Sequence, residues 1–147
     1  IQSPGLSSAP AIAELAIHLL EEKMALKGEK LTLKADFDPI RPKSLCFSQL
    51  SHEEQHALIA KNPAYGRVVC RCETITEGEI LDVIHSNVVP TTVDAIKRRT
   101  RAGMGRCQGG FCQIRVIELL ARELGKSWVD INLHGKGSNI LLKDNRE

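Results

Sequence analysis

The sequence predicts a mainly α-helical fold, and three observations lead to this class. Apolar residues recur three and four positions apart in several separate segments. A Ser or Thr followed three positions later by an acidic residue stands before three of these segments, as at the starts of helices. Glycines follow the first and last segments, where helices end. Aromatic residues make up only 3% of the chain, so the core must consist mainly of Ile, Leu, Val and Ala.

Composition is typical of a soluble globular protein, with 42% apolar and 26% charged residues. The net charge of +2 is too small to indicate binding to nucleic acid or to a membrane surface. The apolar runs are far shorter than the roughly 20 residues of a membrane span, and no secretory signal pattern is present. We therefore expect a cytoplasmic location and no membrane-spanning segment. Because the chain does not begin with Met, we expect it to be part of a longer protein.

The first predicted helix covers residues 8–28. Ser8 is expected to cap it, Pro10 suits its first turn, and Gly28 is expected to end it. Its apolar stripe is predicted to be Ile12, Leu15, Ala16, Leu19 and Leu20. Residues 30–50 contain a short alternating run and two prolines, which predict a strand-like piece and a linker.

Two capping boxes predict the next two helices. The boxes are Ser51 with Glu54 and Thr76 with Glu79. The first precedes the segment HEEQHALIAK, which an Asn-Pro pair ends, and GRVVCRC then predicts a turn or a strand. The second begins a helix that is expected to continue to about residue 85. Its inner face is predicted to be Ile80, Leu81 and Ile84.

Two further helices follow. Thr91 with Asp94 predicts the start of TVDAIKRRT, which is expected to end near Gly103. The last helix, FCQIRVIELLAREL, comes after a Gly-Gly pair and is expected to end at Gly125. Its apolar stripe is predicted to be Ile114, Ile117, Leu120 and Leu124. The remainder is predicted to be short strand or coil that Trp128 anchors to the helices.

Four of the five cysteines form two closely spaced pairs. These are Cys70 with Cys72, and Cys107 with Cys112, and 34 residues separate the pairs. The two helices predicted between them can fold back and bring the pairs together. An odd cysteine count suits a four-ligand site with one spare residue, and Cys46 is expected to be a buried thiol without a role.

Three kinds of site fit this spacing. Two to four residues usually lie between the paired ligands of structural zinc, so a C-x-C pair is short for zinc and a C-x4-C pair is at the limit. A [2Fe–2S] cluster uses four thiolates and accepts C-x4-C, so the spacing favours a cluster. Zinc and a site without metal, such as a thiol redox switch, remain open. His52 and His56 share one helix face, but without a third ligand they predict a solvated surface.

Basic residues are concentrated around the cysteines. Residues 66–115 hold eight Lys or Arg and five Asp or Glu. The arginines nearest the cysteines in sequence are Arg67, Arg71, Arg101 and Arg106. Cations at these positions would stabilise the more negative, reduced state of a cluster and raise its potential. The KRRTR run by itself predicts a solvated helix face.

The segments VVCRCETITEGEI and VDAIKRRTRAGMGRCQGGFC resemble the bacterioferritin-associated-ferredoxin-like (BFD-like) [2Fe–2S] domain. The resemblance covers roughly residues 45–125. It is closest to the version at the C terminus of FAD-dependent dehydrogenases of the anaerobic glycerol-3-phosphate dehydrogenase type. The C-x4-C pair agrees with that version and departs from the C-x2-C pair of the small bacterioferritin-associated proteins. The resemblance implies a compact helical fold with a cluster near its surface, ligated by Cys70, Cys72, Cys107 and Cys112.

The opening IQSPGLSSAPAIAEL resembles the last piece of the FAD-binding domain in amino-acid oxidase-like flavoenzymes. The resemblance implies that Ser3, Pro4, Gly5 and Leu6 face FAD in the full-length protein. The alternative is an ordinary Ser/Pro/Gly helix start. Residues 1–29 are then the end of the FAD-binding domain, 30–50 a linker, and 51–147 the BFD-like domain with its tail.

The implied function is electron relay from FAD through the cluster to an electron-accepting subunit or membrane carrier. The expected partners are the protein's own FAD domain and this acceptor, through which the protein would lie at the inner face of the membrane. No residue of the chain resembles a substrate acid or base, so catalysis is expected outside it. Glycerol 3-phosphate is the expected substrate, with sarcosine, proline or a 2-hydroxy acid as alternatives. A zinc- or cluster-stabilised docking module without electron transfer is the alternative of another class.

Overall fold

The computed structural model describes residues 4–40 and 44–143 and confirms the mainly α-helical class. The chain divides into two compact units, Ile1–Lys43 and Ser44–Glu147. Residues 44–50, which the sequence assigns to a linker, therefore lie in the second unit. No helix among the described residues is long and apolar enough to cross a membrane.

The first unit contains helix α1, Ala9–Ala25. Pro10 lies in its first turn as predicted, but Ser8 makes no side-chain capping hydrogen bond. Ser8 has helical backbone angles (φ −85°, ψ −8°), whereas a capping side chain needs an extended backbone to reach the free N–H groups. The turns after α1 end at Gly28, whose φ is +73°. None of the α1 residues is buried, so the predicted apolar stripe is solvent-exposed in this unit.

The second unit begins with a 3₁₀ turn, Phe47–Gln49, and helix α2, His52–Lys61. The predicted capping box of α2 is confirmed: Glu54 N–H donates to Ser51 Oγ (3.3 Å), and Ser51 N–H donates to the Glu54 carboxylate (2.8 Å). A second 3₁₀ turn, Pro63–Gly66, follows. The buried ring of Phe47 stacks on Tyr65, with ring centroids 6.3 Å apart.

A short antiparallel hairpin leads to the next helix. It pairs β1, Val68–Cys70, with β2, Ile75–Thr76, and this agrees with the predicted turn or strand. Helix α3, Glu77–Ile84, follows at once, and its capping box of Thr76 and Glu79 is confirmed. Ile80 and Ile84 are buried as predicted, while Leu81 is half-buried against the core.

Helix α4, Val93–Thr100, begins one residue later than predicted. Thr92, not Thr91, is its cap, because the Thr92 hydroxyl accepts the N–H of Ala95 (3.2 Å). The capping-box prediction with Asp94 is therefore wrong. The helix ends at Arg101 in a left-handed conformation (φ 70°), close to the predicted Gly103.

Helix α5, Cys112–Leu124, ends at Gly125 in the left-handed conformation (φ 62°), as predicted. Its buried side chains are Cys112, Val116, Ile117, Leu119, Leu120 and Ala121. Ile114, which the apolar stripe places on the inner face, is exposed instead. Ile117 and Ala121, which lie on the same face three and seven positions later, are buried, so the exposure of this face is confined to the first turn of α5.

The C-terminal tail packs back on the helices. The N–H groups of Val93 and Asp94 donate to the carbonyls of Asn132 (3.1 Å) and Leu133 (2.9 Å). Ile131 is fully buried, and Trp128, in the 3₁₀ turn Trp128–Asp130, packs against the core as predicted. The tail thus closes the core formed by α3, α4 and α5.

Candidate metal centre

Four cysteines from two separate segments line one cavity of about 540 Å³. Cys70 is the last residue of β1, and Cys72 follows it in the hairpin loop. Cys107 lies in the loop between α4 and α5, and Cys112 is the first residue of α5. The fold therefore brings together the two pairs that the sequence predicts to form one site.

The four thiols differ in burial. Cys70 and Cys112 form a buried inner pair, with 1% and 2% of their surface exposed. Cys72 is exposed and Cys107 is half-buried, and their sulfurs, 3.6 Å apart, form an outer pair toward solvent. All five cysteines are free thiols.

Backbone N–H groups of the 107–112 loop surround the outer thiol. The N–H of Phe111 lowers the pKa of Cys107 most, and the Cys72 thiol and the N–H of Gly109 add to the effect. Gly109 has a φ of +89°, a left-handed conformation that glycine adopts without strain. This loop therefore stabilises a thiolate at Cys107, the form that ligates iron.

Without a metal, the buried thiol of Cys112 favours its protonated form, in contrast to Cys107. Burial, followed by the nearby Cys70, raises the pKa of Cys112 to about 11. A buried thiolate is stable only beside a positive charge such as a metal ion. The thiolate form of Cys112 therefore depends on a bound metal.

A glycine sets the distance between the two cysteine loops. A Cβ at Gly105 would lie 2.2 Å from the Cβ of Cys72, a separation that real side chains do not adopt. Gly105 thus lets the 101–107 loop approach the hairpin loop. The sequence identified a glycine-rich loop here but not this close contact.

Carboxylates neutralise some of the nearby arginines. Arg67 donates to Glu77 (2.7 and 3.1 Å), and Arg101 donates to Glu73 (2.7 Å). Arg71 and Arg106 line the cavity as well, and within the described residues their side chains make no hydrogen bond or ion pair. Of the four arginines that the sequence places near the site, two therefore remain uncompensated.

The donor set fits a four-thiolate cluster. Across residues 4–40 and 44–143, no three His, Cys, Asp or Glu side chains are arranged to hold a metal ion. The cysteines line the cavity as two pairs instead. Four thiols in one cavity, with backbone N–H groups directed at the sulfur of Cys107, are a donor set that suits a [2Fe–2S] cluster.

Other candidates lie outside this cavity. Cys46 is half-buried rather than buried, and its sulfur is 3.5 Å from the Ser48 hydroxyl. His52 and His56 are exposed, as expected for a solvated helix face. Ser3 lies outside the described residues.

The remaining candidate FAD contacts, Pro4, Gly5 and Leu6, are exposed within the first unit. The carbonyl of Pro4 accepts the Ser8 N–H and the Ser7 hydroxyl, both at 3.1 Å. These bonds form a tight turn ahead of α1.

Phe111 is a site residue that sequence reasoning missed. The sequence pattern assigns it to the last helix, yet it precedes that helix, lines the cavity and is 84% exposed. The sequence signal that could have identified Phe111 as a site residue is its position between Cys107 and Cys112.

Residues 68–122 match the family model described as "BFD-like [2Fe-2S] binding domain". Over 141 residues the chain is 54% identical to a glycerol 3-phosphate dehydrogenase of Caloramator mitchellensis, a match that covers 96% of the chain and 28% of that relative. It is 38% identical over 66 residues to one subunit of the anaerobic glycerol-3-phosphate dehydrogenase of Escherichia coli K12, covering 45% of the chain and 12% of that protein.

A third relative is one subunit of the opine oxidase of Rhizobium meliloti, 39% identical over 67 residues, with 46% of the chain and 12% of that relative covered. The chain therefore spans less than a third of each of these relatives. No solved structure matches it significantly.

Proposed function

We propose that this chain is the electron-transfer module of an FAD-dependent glycerol-3-phosphate dehydrogenase, with a [2Fe–2S] cluster held by Cys70, Cys72, Cys107 and Cys112. The observation that carries the proposal is the meeting of these four thiols in one cavity. The match of residues 68–122 to the BFD-like family model supports the same cofactor. When bound, the cluster supplies one-electron transfer.

Each part of the site has its own role in holding that cofactor. The inner pair, Cys70 and Cys112, excludes water from one side. The outer pair, Cys72 and Cys107, faces solvent, and the N–H groups around Cys107 stabilise negative charge on its sulfur. Exposure of one side is useful in electron transfer because a partner can approach that side closely.

The activity of the whole protein is inferred from its relatives. Two of them carry glycerol-3-phosphate dehydrogenase in their names, and one of these two is named as part of a multi-subunit enzyme. We propose that substrate oxidation reduces FAD outside this chain and that an electron-accepting subunit or membrane carrier completes the relay. The protein would be cytoplasmic and would reach the membrane through that partner.

The domain organisation belongs to the same proposal. Residues 1–29 would end the FAD-binding domain, with Ser3, Pro4, Gly5 and Leu6 beside the flavin. Residues 30–50 would link it to the BFD-like domain at 51–147.

The test uses the full-length protein, purified anaerobically with FAD bound. Glycerol 3-phosphate is added without an acceptor, and the EPR signal of a reduced [2Fe–2S] cluster is measured. The signal should appear in the wild type and in Cys46→Ser, and it should be absent in Cys72→Ser. Flavin reduction with an oxidised, unchanged cluster would contradict the relay and favour a docking role.

Amine oxidation is a second candidate activity, because one relative is named as part of an opine oxidase. The same experiment with sarcosine, proline and an opine separates the substrates. Flavin reduction by one of these and not by glycerol 3-phosphate would assign the protein to that chemistry.

A further inference from the structure

The candidate centre opens to solvent on one side only. Cys70 and Cys112 are buried, whereas Cys72 is exposed and Cys107 is half-buried. A redox partner can therefore approach the thiols most closely over the outer pair. The side chains around that opening determine which partner fits.

An exposed apolar pair marks the opening. The ring of Phe111 is 84% exposed and Val68 is 47% exposed, and both line the cavity. Phe111 is one of three phenylalanines in the chain. Core packing does not explain its position next to Cys112, because its ring is in solvent. Exposed aromatic side chains are enriched at protein interfaces.

Uncompensated positive charge surrounds the same opening. Arg71 and Arg106 are each adjacent in sequence to an outer cysteine, are exposed, and make no side-chain hydrogen bond or ion pair with any described residue. The other two arginines of the cavity wall are neutralised, Arg67 by Glu77 and Arg115 by Glu118. The charge at the opening is thus left available to a partner.

We propose that a redox partner with an acidic surface docks on the "Phe111 surface", which consists of Val68, Arg71, Arg106 and Phe111. The inference rests on the proposed function and adds the chemistry of its partner. Carboxylates of the partner would pair with Arg71 and Arg106, and an apolar patch would cover Phe111. A two-fold symmetric contact with a second copy of this chain does not fit, because it would bring arginine against arginine. With the cluster bound, the transfer would move one electron to a one-electron centre of the partner, and no bond would form or break and no proton would move.

The first test measures binding and needs no electron transfer. The full-length protein with its oxidised cluster is titrated into ¹⁵N-labelled c-type cytochromes, one with an acidic and one with a basic haem edge, and NMR shifts give Kd. We expect the acidic cytochrome to bind, and its Kd to weaken about tenfold in Arg71→Gln/Arg106→Gln at low ionic strength. Arg99→Gln is the matched control, since Arg99 is exposed and lies outside the cavity; its Kd should change less than twofold.

The second test measures the electron-transfer rate by stopped flow. The rate to the acidic cytochrome should fall with ionic strength in the wild type and vary little in the double variant. At about 0.5 M salt, where screening removes steering, wild type and variant should agree within twofold. Arg71→Lys/Arg106→Lys retains the charge and should keep the salt dependence of the wild type.

Several results would overturn the docking proposal alone. These are equal Kd values for both cytochromes, a rate loss that persists at high salt, or variants that slow flavin-to-cluster transfer without affecting cytochrome binding. The last result would assign the Phe111 surface to the protein's own flavin domain. A protein that reduces neither cytochrome would also overturn the docking proposal, and a protein without a cluster would overturn the proposed function as well.

Discussion

Gly105 lies directly against Cys72. A Cβ at position 105 would be 2.2 Å from the Cβ of Cys72 and 3.3 Å from a carboxylate oxygen of Glu73. The contact joins the loop that carries Cys107 to the loop that carries Cys72. Because the neighbouring atoms include the Cβ of Cys72, an added methyl group must move this proposed ligand.

Gly105→Ala should therefore impair cluster binding. We expect iron per chain to fall several-fold after anaerobic purification, with the helical circular dichroism spectrum retained. Gly135→Ala is the matched control, since nothing lies within 4 Å of the Cβ it would add. Normal iron content in Gly105→Ala would show that the two loops can separate without loss of the site.

Glu77→Gln should destabilise the second unit. The Glu77 side chain is only 3% exposed and pairs with Arg67 (2.7 Å) and Arg122 (3.3 Å). Loss of its charge should lower the free energy of unfolding by about 1.5–3 kcal/mol, measured in urea at pH 7. Glu118→Gln removes a more exposed ion pair with Arg115 and should lower the free energy of unfolding by less than about 1 kcal/mol. Equal effects of the two substitutions would contradict the stabilising role of the buried pair.

The same ion pairs predict an acid sensitivity. Hydrogen bonding to Arg67 lowers the pKa of Glu77 in the folded chain. The stabilisation is therefore complete above the unfolded pKa of about 4.3 and is lost as pH falls through the lower folded value. Acid titration followed by circular dichroism should show a smaller loss of stability in Glu77→Gln. Cluster loss in acid affects both the wild type and the variant, so the difference between them is the quantity to measure. Identical slopes of the free energy of unfolding against pH would contradict the lowered pKa of Glu77.

The inner and outer cysteines should react at different rates in cluster-free protein. Iodoacetamide at pH 7.5 is expected to modify Cys72 and Cys107 first, because Cys72 is exposed and the loop N–H groups lower the pKa of Cys107. Cys70 and Cys112 should react at least tenfold more slowly because burial restricts access, and the thiolate of Cys112 is rare as well. Peptide mass spectrometry over time gives the order, and in urea the differences should disappear. Modification of Cys112 as early as that of Cys72 would contradict the burial of the inner pair.

Local signals in the sequence predicted local structure well. The capping boxes at Ser51 and Thr76 need only a side chain and an N–H three residues away, and both are confirmed. The prediction that Thr91 caps α4 was wrong, because Thr92 offers the same hydroxyl one residue later. The tail bonds to Val93 and Asp94 in this register, and a local pattern contains no information about them. The predicted stripe of α5 was wrong only at Ile114, which lies in the first turn of the helix, whereas Ile117 and Leu120 of the same stripe are buried.

The spacing of the cysteines predicted which thiols would meet, but it did not predict the charge around them. Arg67 pairs with a carboxylate 10 positions away and Arg101 with one 28 positions away. Such pairs depend on the folded positions of the hairpin and α4. The sequence could therefore identify a basic neighbourhood, and only the fold shows that Arg71 and Arg106 remain uncompensated.

The central claim is that Cys70, Cys72, Cys107 and Cys112 hold a [2Fe–2S] cluster. The most direct measurement is the iron, zinc and acid-labile sulfide content of the anaerobically purified protein, together with EPR after reduction with dithionite. The account predicts about two iron and two sulfide per chain, with one unpaired electron per cluster after reduction. A colourless protein with one zinc and no sulfide would contradict it.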